Sequence, residues 1–85
     1  MMRQDVVETL LEEMANLFQV DKDSLSFDTG PGDLPMWDSL GHVSLMAMIQ
    51  QEFGTHIPVA DALQIESISD LIKILDKYNV STSRD

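Results

Sequence analysis

Hydrophobic and polar positions alternate along the N-terminal segment with the period of an α-helix. Apolar residues recur there at spacings of three and four, with acidic and amide side chains between them. This pattern is typical of an amphipathic helix that buries one face. We therefore predict a first helix from Arg3 to Phe18. Its buried face consists of Val6, Val7, Leu10, Leu11, Met14, Leu17 and Phe18.

Helical periodicity stops between Asp21 and Met36. This stretch contains glycine and proline, which interrupt helices and favour turns. They are Gly30, Pro31, Gly32 and Pro35. The length of the stretch predicts a connection that crosses the bundle before the next helix, with Leu25 and Phe27 as its apolar anchors.

A second helix is predicted from Ser39 to Phe53. Asp38 or Ser39 suits its N-cap, and Gly54 suits its C-terminal end. The core-facing apolar stripe consists of Leu45, Met46, Ile49 and Phe53. A second stripe, rotated away from the first, consists of Leu40, Val43 and Ala47. A helix with structural duties alone would be polar on that side, so we expect the second stripe to be exposed.

A short helix and a longer one are predicted for the C-terminal part. Ile57 and Pro58 lead into one or two helical turns at about residues 59–64. Leu63 and Ile65 are expected near the core or beside the candidate site.

Ser67 marks the start of the last helix, because Asp70 follows it at the spacing of a capping box. The apolar face of this helix consists of Ile68, Leu71, Ile72, Leu75 and Tyr78. No strand alternation or internal repeat occurs in the sequence. The predicted fold is therefore all-α, a bundle of three main helices plus one short helix, with a long loop between helices one and two. We expect a single domain over residues 1–85, with a core at about 3–79 and a frayed tail at 80–85.

Charge and cysteine usage limit the possible functions. Fifteen Asp and Glu against five Lys and Arg give a net charge of −10, which opposes binding to nucleic acid or to an anionic membrane. No segment has the pattern of a signal peptide or the length of a membrane span, so we expect a cytoplasmic monomer without membrane insertion. Cysteine is absent, so any thiol chemistry must come from an added group.

The negative charge is unevenly distributed. Acidic residues crowd the first helix and the long loop, namely Asp5, Glu8, Glu12, Glu13, Asp21, Asp23, Asp28 and Asp33. From Ser39 to Gln51 no side chain is formally charged when His42 is neutral. We expect electrostatics to steer partner encounter, while the contact around Ser39 is largely neutral. The loop aspartates lack EF-hand spacing, and no metal site is predicted.

Ser39 is the strongest candidate for chemistry. It lies in the tetrad Trp37-Asp38-Ser39-Leu40 at the start of a helix, where unpaired N–H groups and the helix dipole favour a phosphate ester. Trp37 is expected to anchor the loop. A triad of Asp38, Ser39 and His42 is rejected because so short a chain supplies no substrate pocket or oxyanion site. We expect His42 to face solvent near the serine.

The tetrad belongs to a longer pattern: Asp38-Ser39-Leu40, then Val43, Leu45, Glu52-Phe53-Gly54 and Ile57-Pro58. This pattern resembles the phosphopantetheine-binding acyl and peptidyl carrier protein family. The resemblance implies that Ser39 receives 4'-phosphopantetheine covalently from coenzyme A. The thiol of that arm then carries an acyl or aminoacyl group as a thioester, and the chain itself is not an enzyme. Asp38 would belong to the surface that the phosphopantetheinyl transferase recognises.

The resemblance also implies partners: a phosphopantetheinyl transferase, an acyl- or aminoacyl-adenylating ligase or acyltransferase, and downstream biosynthetic enzymes. The expected partner-recognition residues are Asp38, Leu40, His42, Val43, Ser44, Ala47 and Leu63. Gly41 and Ser44 stand where many fatty-acid carriers have acidic residues, which favours a specialised pathway. Two alternatives stay open, an aminoacyl or peptidyl carrier and an unmodified acidic helical interaction module.

Overall fold

The structure, a computed structural model, describes residues 4–78 and is an all-α bundle. The helices are α1 (Gln4–Phe18), α2 (Ser39–Phe53), α3 (Val59–Ala62) and α4 (Ile68–Lys77), and a single 3-10 turn spans Lys22–Ser24. No strand occurs within the described range. The predicted architecture of three main helices and a short one is confirmed. Arg3, residue 79 and the tail predicted at 80–85 lie outside the described residues.

Most residues of the apolar stripes predicted from the sequence form the core, while five predicted members are only partly buried against it: Leu11, Leu17, Met46, Ile72 and Tyr78. The residues buried there from the three main helices are Val6, Leu10, Met14, Ala15, Phe18, Leu45, Ile49, Phe53, Ile68, Leu71 and Leu75. Full burial of each large aliphatic side chain contributes about 1.5–3 kcal/mol, which is why the helical period predicts the packing. Within residues 4–78 no helix combines the length and apolar character that a membrane crossing requires.

Both ends of α2 are determined by short-range interactions. The Asp38 carboxylate accepts a hydrogen bond from the Gly41 amide at 2.8 Å, so Asp38 is the N-cap and Ser39 is the first helical residue. At the other end Gly54 adopts a left-handed conformation, with φ of 69°. Residues with a Cβ occupy that region at a cost of about 1–2 kcal/mol, so glycine ends the helix there.

The long connection packs against the beginning of α4. The Phe27 carbonyl accepts a hydrogen bond from the Ser69 amide at 2.9 Å, and the Thr29 carbonyl accepts one from the Ile68 amide at 2.8 Å. These amides lie in the first turn of α4, where the helix offers no acceptor of its own. The loop therefore fixes the start of α4 as well as crossing the bundle.

One of the two predicted loop anchors is wrong. Leu25 is buried as expected, but the Phe27 side chain is 55% exposed. Phe27 contributes its backbone carbonyl to α4 instead of its ring to the core. Close backbone approach also explains Gly30, since a Cβ on it would lie 2.0 Å from the Glu66 carbonyl oxygen.

The two C-terminal helices begin and end close to the predicted positions. Helix α3 ends at Ala62 and is shorter than the predicted range 59–64. Ser67 is the N-cap of α4, and its hydroxyl accepts from the Asp70 amide at 3.2 Å. The Asp70 carboxylate accepts from the Glu66 amide at 3.0 Å rather than from Ser67, so the capping box is shifted by one residue.

Candidate functional site

Trp37 fixes the end of the loop that precedes α2. Its side chain is fully buried and its indole stacks on the Phe18 ring, with centroids 5.2 Å apart and planes 17° apart. The Trp37 backbone is held as well, because its amide donates to the Leu34 carbonyl at 3.1 Å and its carbonyl accepts from the Gly32 amide at 2.8 Å. The prediction that Trp37 anchors the loop is confirmed.

His42 is held between the loop and α3. Its Nδ1 accepts a hydrogen bond from Trp37 Nε1 at 3.0 Å, and its Nε2 lies 2.9 Å from the Ala62 carbonyl oxygen. An indole N–H can only donate and a carbonyl can only accept, so the proton of the neutral imidazole is on Nε2. The two rings are 17° from parallel with centroids 6.3 Å apart, as expected for an edge-to-edge N–H···N bond.

The expectation of a solvent-facing His42 is therefore wrong. The ring is half-buried because it forms two hydrogen bonds inside the fold. It accepts one from the buried Trp37 N–H and donates one to the Ala62 carbonyl. With both ring nitrogens engaged, His42 has no lone pair left to deprotonate Ser39.

Ser39 is exposed and borders an open groove of about 610 Å³ between the loop, α2 and α3, which we call the serine groove. The groove is lined by Pro31, Gly32, Trp37, Asp38, Ser39, His42, Val43, Ala62, Leu63 and Ile65. Val43 on the α2 wall is 65% exposed and Leu63 on the α3 wall is 74% exposed. Among the described residues, Asp38 is the one carboxylate in the lining. The walls are therefore mainly apolar, and the exposed Ser39 borders them.

The predicted partner-recognition residues divide between two sides of α2. Asp38, His42, Val43 and Leu63 line the serine groove together with Ser39. The remaining three, Leu40, Ser44 and Ala47, line hollows on the α1 side of the helix. The second apolar stripe is thus an exposed ridge between the two sides, and its predicted exposure is confirmed.

Gly41 is a site residue whose importance the sequence analysis missed. A Cβ at this position would lie 1.9 Å from the Met36 carbonyl oxygen. Glycine therefore allows the loop to lie directly on the first turn of α2, next to Ser39. A glycine inside a helical run is a recognisable signal, because it lowers helix stability by about 1 kcal/mol relative to alanine unless packing requires it.

Two further exposed apolar side chains were also missed. Met36, which precedes Trp37, is 44% exposed, and Val59 at the start of α3 is 71% exposed. Neither residue belongs to an apolar stripe of a long helix, which is the sequence pattern from which exposure could have been predicted. Met36 lines the hollow on the α1 side together with Asp38 and Leu40, so the surface next to Ser39 is more apolar than predicted.

Helix α3 is also connected to the end of α4. The Tyr78 hydroxyl donates a hydrogen bond to the Asp61 carboxylate, and Lys77 Nζ lies 3.4 Å from the same oxygen. The Tyr78 hydrogen bond, assisted by Lys77, holds the pKa of Asp61 below its ordinary value although partial burial acts in the opposite direction. The same hydrogen bond raises the pKa of Tyr78.

Exposed acidic residues are concentrated on α1 and the loop, whereas α2 carries no carboxylate before Glu52 in its last turn. Glu12, Asp21, Asp23, Asp28 and Asp33 are exposed on α1 and the loop. Lys22 neutralises part of this charge by pairing with Glu8 and by lying 3.7 Å from Glu12, and its hydrogen bond lowers the pKa of Glu8. The result is a negative field around a neutral, apolar surface.

Two comparisons with known proteins agree on the kind of protein this chain resembles. Residues 1–85 match the family model described as the C-terminal ACP domain of the highly reducing polyketide synthase sdgA. The chain is also 28% identical over 79 residues to an acyl carrier protein of Lactobacillus acidophilus (strain ATCC 700396 / NCK56 / N2 / NCFM). That similarity covers 92% of this chain and 98% of the relative.

Proposed function

This chain belongs to the acyl carrier protein family, and we propose that it carries acyl intermediates as thioesters on a 4'-phosphopantetheine arm attached to Ser39. The observation that carries the proposal is the position of Ser39, exposed at the first residue of α2 and at the edge of an apolar groove. The arm supplies the thiol that forms the thioester, and the chain has no cysteine of its own.

The surroundings of Ser39 suit this group. Capping of α2 is performed by Asp38, whose carboxylate is engaged with the Gly41 amide, so the Ser39 hydroxyl is not needed as the N-cap. The positive end of α2 favours the phosphate diester. Val43 and Leu63 are the groove residues that would contact the arm. Because both His42 nitrogens are engaged, we propose that the chain tethers its cargo and leaves catalysis to its partners.

The proposed partner surface is centred on the ridge of α2 and the adjoining end of α3. Leu40, Val43, Ala47 and Leu63 form its apolar centre, while Asp38 and Ser44 lie beside them. His42 contributes by holding this surface together. The acidic surround suits partners with an apolar centre and a basic rim: the transferase, the enzyme that loads the thiol, and enzymes of a biosynthetic pathway.

The function of such a carrier is to raise effective concentration. A cargo held on a flexible arm meets each docked enzyme repeatedly, so moderate docking affinity is sufficient and partners can exchange. Both comparisons concern acyl carriers, and this favours an acyl over an aminoacyl cargo. Loading by acyl-adenylating and aminoacyl-adenylating ligases, compared on the same modified protein, separates the two.

The decisive experiment measures intact mass after incubation with coenzyme A and a broad-specificity phosphopantetheinyl transferase. We expect the wild type to gain one phosphopantetheine and Ser39→Ala to gain none. Ser24→Ala, which removes another exposed serine hydroxyl, is the control and should be modified normally. No gain with several transferases would favour the unmodified interaction module, and modification of Ser39→Ala would exclude Ser39 as the attachment site.

A further inference from the structure

Three parts of the fold meet at the imidazole of His42. The ring belongs to α2, accepts from Trp37 in the loop at 3.0 Å, and reaches Ala62 at the end of α3 at 2.9 Å. We call these two hydrogen bonds the imidazole link. Trp37, His42 and Ala62 also line the serine groove. The link therefore connects the loop, α2 and α3, the three parts of the fold that border the groove.

Helix α3 depends on such contacts more than the other helices do. It has four residues, far fewer than an isolated helix needs to be stable in water. Its inner side is held by burial of Ala62 and by Ile65 just beyond its end. Its outer side is held by Asp61, through Tyr78 and Lys77. Among the hydrogen bonds of residues 4–78, the one from His42 to Ala62 is the bond that joins α3 to α2.

The link requires one particular form of the ring. Trp37 Nε1–H can only donate, so Nδ1 must carry a lone pair, and the Ala62 carbonyl can only accept, so Nε2 must carry the proton. An imidazolium, with a proton on both nitrogens, would lose the Trp37 bond and leave a buried N–H without an acceptor.

We propose that His42 is the positioning residue of the carrier site: as the Nε2–H tautomer it holds Trp37 and Ala62 together and thereby keeps the serine groove formed. This inference rests on the proposed function in one respect, that the groove serves the arm attached to Ser39. The structural link itself is independent of any modification. Ser39 is exposed outside the link, so its modification and the integrity of the groove can be measured separately.

The first test replaces His42 by phenylalanine, which keeps a ring but removes both hydrogen bonds. We expect amide hydrogen exchange at Ala62, Leu63 and Ile65 to become about tenfold faster, because loss of one such bond changes a local opening equilibrium by roughly that factor. Exchange at Leu71 and Leu75 in α4 should not change. The control is His56→Phe, since within residues 4–78 the hydrogen-bond contact of the exposed His56 ring is with the Gln50 side chain, at 3.4 Å.

Two further variants separate the halves of the link. His42→Asn can still accept from the Trp37 indole but cannot reach Ala62, so α3 should lose protection while the indole N–H keeps it. His42→Gln can donate towards Ala62 but lacks the near acceptor, so the opposite pattern is expected. Equal protection of residues 62–65 in all three His42 variants and the wild type would overturn the proposal.

A measurement on the unsubstituted protein covers the case in which the variants do not fold. Ring ¹⁵N chemical shifts at neutral pH should give a single Nε2–H tautomer for His42 and fast-averaged tautomers for the exposed His56. Averaged tautomers at His42 would overturn the proposal. Intact mass of the wild type after transferase treatment is measured separately. A gain of one phosphopantetheine with averaged His42 tautomers would overturn the positioning role alone, and no gain with a single Nε2–H tautomer would overturn the carrier function alone.

Discussion

At the scale of single residues, the site requires the absence of a side chain at Gly41 as well as the hydroxyl of Ser39. The Met36 carbonyl lies against the Cα of Gly41, and the Gly41 amide donates to the N-cap carboxylate of Asp38. A side chain at position 41 would push the loop off the first turn of α2. Because Trp37 follows Met36 directly, the displacement would reach the aromatic anchor as well.

We therefore expect Gly41→Ala to destabilise the protein. The better helix propensity of alanine contributes about 1 kcal/mol in favour of folding. A Cβ placed 1.9 Å from a backbone oxygen forces a shift whose cost lies at the upper end of about 1–3 kcal/mol, so the net effect should be a loss of up to about 2 kcal/mol. Urea unfolding followed by Trp37 fluorescence gives the free energy of unfolding.

Gly32→Ala is the matched control for this experiment. No atom of residues 4–78 outside its own neighbours lies within 4 Å of a Cβ at Gly32, and its positive φ of 92° makes it a test of backbone strain. A Gly41→Ala variant as stable as the wild type, or more stable, would contradict the tight packing of the loop on α2.

At the scale of elements, α3 is held by polar contacts on two sides. The His42 bond joins it to α2, and the Asp61 carboxylate joins it to the C-terminal end of α4. The second contact depends on charge. The pKa of Asp61 is lowered by the Tyr78 hydrogen bond, so its stabilising contribution is present above the unfolded carboxyl pKa and disappears as pH falls through the lower folded value.

The corresponding experiment compares thermal unfolding of the wild type and Tyr78→Phe across pH. We expect the variant to be less stable near neutrality and the difference to shrink as pH falls below the ordinary aspartate value of 3.8. The raised pKa of Tyr78 predicts a second loss at high pH, beginning above its ordinary value of 10.0. Asp61→Asn is the control, because its stability should lack the acidic transition. A difference that stays constant from pH 3 to pH 7 would exclude the Asp61 contact as its source.

At the scale of the whole molecule, two kinds of surface have different tasks. Carboxylates on α1 and the loop give a long-range negative field, and the ridge of α2 gives short-range apolar contact. Salt screens the first over about 10 Å at 0.1 M but leaves the second nearly unchanged. Steering and docking can therefore be separated by ionic strength.

We predict that the double variant Asp23→Asn and Asp28→Asn lowers kcat/KM for the phosphopantetheinyl transferase about two- to threefold at low salt, through slower association. At high salt the difference should vanish. Leu40→Ala should instead lower kcat/KM at every salt concentration, because Leu40 is 76% exposed and carries no charge. Equal salt dependence for the Asp23/Asp28 and Leu40 variants would contradict this division of tasks.

The sequence by itself determined the features that depend on neighbours three or four residues away. The helix periods, the Ser67 cap and the Gly54 end are of this kind, because each partner atom lies within one helical turn. For the N-cap of α2 the sequence left Asp38 and Ser39 as candidates, and the structure decided for Asp38. Ser39 as the arm-bearing residue stays a prediction from the family pattern. Only the tertiary structure decided the orientation of His42, the need for Gly41 and the exposure of Phe27. His42 bonds to Ala62, 20 positions away, and no local pattern specifies which distant carbonyl will meet a side chain once the helices pack.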